Sequence, residues 1–240
     1  MDLDGKMIRD NFESIKNGLK SAVDFLRKEL HLYSLNCLPY PAMLVSLVRF
    51  FGSEKTNGCS YTDKQRRQLV RWFWRSCFAR RYSSGVNSAH ETDLNSMERL
   101  RDNENFDISS FKCDIPTGFF TDNFISGASV DLSQTLKIAS SKEFHHIFPD
   151  KYLQKLSLER KDIYQLANFC FLNNADNQKI KDRSPSEYKQ FLNPDSIPDV
   201  LKSAICPSDT FELDYGEFIL KRKAMLMDFA NRLINYGNDF

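Results

Sequence analysis

The chain has 240 residues, 41% hydrophobic and 27% charged, so it is long enough to bury a sizeable core in one large domain or two small ones. Its formal net charge of +1 excludes a global basic field, and any phosphate-binding surface must be local. Aromatics at 13%, including 20 Phe, argue for compact packing rather than disorder. Six cysteines (37, 59, 77, 113, 170 and 206) form no CxxC pair, which argues against a zinc ribbon or a redox dithiol. With no apolar leader and no run as long as a membrane span, the expected compartment is the cytoplasm, with free thiols.

Ile8, Phe12, Ile15, Leu19, Val23, Leu26 and Leu30 recur at steps of three and four residues and predict a helix from 8 to about 35. Pro41 opens a second helix through Met43, Leu47 and Phe51 that stops near Gly52. Thr62 followed by Gln65 is a capping-box signature for a third, with Leu69, Val70, Trp72 and Phe73 as core. The arginines along it (66, 67, 71, 75, 80 and 81) read first as a solvated face and second as a phosphate-contacting stripe. A polar helix follows from about Ser88 to Asn103, with Leu94, Met97 and Leu100 inward and His90 at its start as a surface or capping residue.

From Asn105 to Ser133 the pattern is irregular, and a boundary near 105 separates residues 1–105 from 106–240. The segment Lys142-Glu143-Phe144-His145-His146-Ile147-Phe148-Pro149-Asp150 holds two of the four histidines. On a strand, adjacent side chains face opposite ways, so one imidazole can meet a metal and the other a substrate. Ile163 to Leu172 reads as a second strand. Asn173 to Asn177 then cap a helix near Gln178, and Ser184-Pro185-Ser186-Glu187 opens another. The last helix spans about Tyr215 to Tyr236.

His145-His146, Asn168 22 residues on and Asn177 nine further make one ordered set. A strand–loop–strand–helix unit would bring them together. The chemistry that suits them is phosphodiester hydrolysis: an imidazole base for water, and a cation for the phosphate and the leaving oxygen. One imidazole and one amide oxygen suit Mg²⁺ or Mn²⁺ rather than Zn²⁺.

FHHIFPDKYL, ANFCFLNNADNQKI and KDRSPSEYKQFL resemble the HNH, or ββα-metal, endonuclease superfamily. Together with the helical stretch from about residue 38, the chain resembles the carboxy-terminal half of type IV restriction and phage-defence proteins. Those proteins join a ParB-like NTPase domain to an HNH nuclease domain; the NTPase motif is not found here. The resemblance implies an α+β, mainly helical chain: a helical first half, then a ββα-metal core embedded in helices. It implies His146 as the base, Asn168 as the brace of the catalytic loop, and His145 and Asn177 as metal ligands. His145 stands where the superfamily often has Asp or Glu. Lys179, Lys181 and Arg183 become candidates for phosphate contact, and Glu143 for an outer-shell carboxylate, with Asp150 and Asp176 as alternatives. The implied partner is DNA, modified phage DNA included, with an NTPase domain or subunit. The rival expectation is a non-catalytic DNA-binding or partner-docking module of the same fold, and a weaker one a zinc-stabilised structural domain.

Overall fold

A computed structural model of the chain describes residues 5–54, 59–115, 142–173 and 178–239. The chain is mainly helical, and among the described residues its sheet is a single pair of antiparallel strands. It divides into two compact units. One holds residues 1–114 with 232–240, the other 115–231.

In the first unit, helix α1 (Gly5–Leu30) ends sooner than its periodicity suggests. His31 turns into the left-handed region, at φ 53°, and Leu32 N–H bonds back to Leu26 C=O, so the helix cannot run on to 35. Only the later part of its apolar stripe is covered. Ala22, Phe25, Leu26 and Leu30 are buried, whereas Phe12 and Ile15 remain 55% and 53% exposed. Helix α2 (Ala42–Phe51) starts after Pro41 and stops at Gly52, as the sequence signals indicate. It crosses α1 at Gly18, where an added Cβ would lie 2.9 Å from Val48 O and 3.0 Å from Gly52 Cα.

Helix α3 (Asp63–Phe78) begins with the expected capping box. Thr62 N–H donates to Gln65 Oε1 at 2.9 Å, and Gln65 N–H donates to Thr62 Oγ1 at 3.3 Å. Gln65 Nε2 also donates to Leu100 C=O at 2.9 Å, joining α3 to helix α4 (Val86–Asp102). Leu69, Val70, Trp72 and Phe73 fill the core with Met97 and Leu100. Each such side chain contributes roughly 1.5–3 kcal/mol by leaving water.

The arginines of α3 and its exit do not share one solvated face. Arg81 is half-buried and donates to both oxygens of buried Asp93 at 2.7–3.1 Å. The Tyr82 hydroxyl reaches the same carboxylate, and burial pushes that phenol's pKa up. Arg66 grips Asp239 with two 2.8 Å bonds.

The first unit runs through Asp114, and residues 105–114 are tied to its core. Arg81 lies over the Phe111 ring, 4.1 Å from its centroid, Arg75 donates to Phe111 C=O, and Ile108 is buried. The chain's last residues return to this unit. Trp74 Nε1 donates to Asn238 at 2.9 Å, and Asn238 Nδ2 donates to Glu29 C=O at 2.7 Å.

The second unit carries strand β1 (Lys142–His146), helix α5 (Asp150–Lys155), a short helix α6 (Arg160–Ile163) and strand β2 (Phe169–Asn173). Short helices α7 (Pro185–Tyr188) and α8 (Ile197–Ser203) follow. Helix α9 (Tyr215–Tyr236) belongs to this unit through Asn231. The expected start at Ser184 is a second capping box: Ser184 N–H donates to Glu187 Oε2 at 2.7 Å, and Glu187 N–H to Ser184 Oγ at 3.4 Å. Of the expected irregular stretch, residues 116–133 lie outside the described residues.

Gly18→Ala tests the α1–α2 crossing. In an open helix that change stabilises by about 1 kcal/mol. Here it should destabilise by about 1–2 kcal/mol in urea melts, because the neighbour in the way is backbone.

Candidate active site

The two strands pair antiparallel, with His146 opposite Phe169 and His145 opposite Cys170. Alternation sends the two imidazoles to opposite faces of the ribbon. The Ile163–Leu172 strand is shorter than expected. Ile163 ends α6, Leu166–Asn168 form a 3₁₀ turn, and β2 starts only at Phe169.

The reason is Asn168, which is fully buried. Its Oδ1 accepts from Phe148 N–H at 2.9 Å, and its Nδ2 donates to Phe148 C=O at 3.1 Å and to Ile163 C=O at 3.0 Å. The side-chain amide thus takes the place of a peptide group beside Phe148. Asn168 C=O accepts from Ile147 N–H at 2.8 Å, and its own N–H donates to Gln165 C=O at 2.8 Å. A side chain that bonds nearby backbone in this way competes with a ladder, and the turn wins. Tyr188 closes the remaining gap by donating its hydroxyl to Ile147 C=O at 2.9 Å.

His146 sits between two rings. Phe169 lies 4.3 Å away, and Tyr164 meets it edge-on at 4.8 Å. Burial pulls its pKa down to about 4, with Asp150 opposing and His145 adding to the shift, so the ring is neutral at pH 7. The Asp150 carboxylate accepts from Tyr164 Oη at 2.9 Å and from Gln154 Nε2 at 2.7 Å. His145 is 6% exposed, and burial pushes the facing Cys170 thiol up to about 12, so it carries no charge.

Arg222 of α9 braces the turn from the other side. It is buried and donates to Ala167 C=O at 2.7 Å, Ala204 C=O at 3.0 Å and Ile205 C=O at 3.3 Å. Burial lowers its pKa. Neither Arg222 nor Tyr188 was singled out by sequence. The available signal was position: Arg222 lies three and four residues after Ile219 and Phe218, both buried, on the inward face of a helix.

The hairpin brings His145, His146 and Asn168 into adjoining positions. Asn177 and Asp176 lie outside the described residues, and of Glu143 only the backbone is described, within β1. Lys179 and Lys181 are exposed. Arg183 donates to Lys179 C=O at 2.7 Å and lies over the Phe191 ring, which draws it from the role of a free phosphate clamp. Among the described residues no three His, Cys, Asp or Glu side chains are grouped to hold a metal. His146 offers a neutral nitrogen, and a hard cation such as Mg²⁺ would need oxygen donors beside it.

The fold and site define a mainly helical protein of two units, the second carrying a histidine-bearing β-hairpin pinned by a buried asparagine. No family model matches the chain, and no solved structure does. It is 25% identical over 170 residues to an uncharacterised protein of Methanocaldococcus jannaschii, a match covering 62% of this chain. The chain spans 28% of that relative's length.

Two measurements check this geometry. Asn168→Ala should cost about 2–4 kcal/mol, since it strips partners from buried Phe148 and Ile163 backbone groups. In an NMR titration the His146 ring should protonate near pH 4; a midpoint near the ordinary 6.5 would contradict its enclosure.

Proposed function

We propose that the second unit is an HNH-type, ββα-metal endonuclease module that hydrolyses DNA phosphodiester bonds with a divalent cation, in restriction or phage defence. The observation that carries this reading is the pair of strands itself: consecutive histidines divided between two faces, with a buried Asn amide fixing the turn after them. The helical residues 178–180 after β2 stand where the α element of such a core would follow. A cytoplasmic location goes with this reading; no described helix is long and apolar enough to cross a membrane.

In this mechanism His146 takes the proton from the attacking water. It is neutral at pH 7, which a base requires, and its Nε2 is closed off among the described residues, which leaves Nδ1 for the proton. Phe169 and Tyr164 fix the ring plane, so little orientation is lost when water binds. Asn168 acts as a positioning residue by holding the backbone just after His146. His145 and Asn177 would hold Mg²⁺ or Mn²⁺. When bound, that cation offsets charge on the scissile phosphate and on the leaving 3′ oxygen. Lys179 and Lys181 would meet flanking phosphates, with Arg183 a lesser contributor.

One observation favours a second reading. A base with a pKa of about 4 is weaker than one tuned near 7, and a histidine wedged between aromatic rings also suits a purely structural role. On that reading the chain is a non-catalytic module that binds DNA or docks on an NTPase partner.

Supercoiled plasmid separates the two. The wild-type chain should nick it with either cation, and His146→Ala should slow nicking by about 10²–10⁴-fold, the usual worth of a general base. Mn²⁺ should outperform Mg²⁺, because an imidazole donor suits the softer ion. Intact plasmid under both cations, or full activity in His146→Ala, would sink the nuclease assignment.

A further inference from the structure

The first unit contains an open cleft of about 500 Å³. Lys64, Arg67, Gln68 and Arg71 line it from one face of α3, since steps of three and four residues set them one turn apart. Asn105, Asn235 and Tyr236 line it as well, with the carboxylates of Glu104 and Asp239. Those carboxylates are already occupied. Glu104 pairs with Lys64 at 3.2 Å, and Asp239 is gripped by Arg66.

Arg67 and Arg71 therefore supply the cleft's surplus positive charge. Arg67 has one long contact, 3.7 Å to Asp63, between two exposed side chains, and such pairs hold weakly. Arg71 acts on Asp107 through its charge. Arg71 Nε and Gln68 Oε1 are buried and meet no hydrogen-bond partner among the described residues. Tyr236, which lines the same cleft as Arg67 and Arg71, is 61% exposed, so its ring is open to a stacking partner.

We propose that this cleft is a single-stranded nucleic-acid subsite, in which Arg67 and Arg71 hold a backbone phosphate and Tyr236 stacks on the adjoining base. Cations that track the backbone beside an aromatic platform are the chemistry of strand binding without sequence readout. The exposed Asn235 amide can donate or accept, so it tolerates any base edge. The choice of a nucleic acid rests on the nuclease assignment; the phosphate-plus-ring chemistry stands on the cleft itself.

The test uses the full chain carrying His146→Ala, without metal, and anisotropy of a fluorescent twelve-nucleotide DNA strand. Arg67→Ala should weaken binding and lower the slope of log affinity against log salt by about 0.7, the share of one phosphate. Tyr236→Ala should weaken it about fivefold or more, while Tyr236→Phe retains it. Lys20→Ala, an equal charge loss at an exposed position of α1, should leave binding unchanged. Binding indifferent to both Arg67→Ala and Tyr236→Ala would overturn the subsite, and AMP binding as tightly as the strand would overturn its assignment to a strand. Plasmid nicking by the unmodified chain is scored separately. Nicking with cleft-independent binding removes the subsite alone, and cleft-dependent binding without nicking removes the nuclease assignment alone.

Discussion

The side-chain amide of Asn168 is the constraint on which the second unit's hairpin depends. After His146 the chain leaves β1 through Ile147 and Phe148, 5% and 2% exposed, and then Pro149, which has no N–H to offer. The backbone groups of those two residues are out of water and need partners. Asn168 supplies three of the four, two with its side chain and one with its carbonyl, and Tyr188 supplies the last. An amide suits this place because it donates and accepts at once; an ionised carboxylate can only accept. Arg222 then secures the carbonyl of Ala167, one residue earlier, and ties the turn before β2 to α9.

Local signals were legible in the sequence, and tertiary ones were not. The capping boxes at Thr62 and Ser184 and the stop at Gly52 depend on residues within one turn, and the structure has them where the residue types indicate. The Ile163–Leu172 run has strand composition throughout, yet half of it is helical turn. Asn168 within it finds better partners in Phe148 and Ile163 than a ladder would give. The extent of the first unit was hidden because it depends on Phe111 meeting Arg81 and on Asn238 meeting Trp74, contacts between residues far apart in sequence. On α1, period alone could not tell the covered half of the apolar stripe from the exposed half.

The candidate site was legible to a different degree. The histidine pair stood out because the chain has only four histidines, and Asn168 stood out by its spacing from them. Arg222 did not, because an arginine on an amphipathic helix ordinarily belongs to its wet side. Here it is buried against three carbonyls, without a carboxylate among its described bonding partners. The arginines of α3 carry the converse lesson. Arg81 and Arg66 are committed to Asp93 and Asp239, so a stripe that looks uniform in sequence resolves into structural pairs and a smaller set facing a cleft.

Throughout the hairpin the described groups nearest the histidines are uncharged or already bonded: a neutral imidazole at His146, a neutral thiol at Cys170, and Asp150 tied to Tyr164 and Gln154. Cation binding would then rest on donor type and geometry more than on stored negative charge, and it would need Asn177 beside His145. Anomalous diffraction from crystals grown with Mn²⁺ tests this most directly. The account predicts one Mn²⁺ peak within ligand distance of both His145 and Asn177, with His146 facing the water beside it. A peak elsewhere, or none at these residues in crystals that cut DNA, would contradict it.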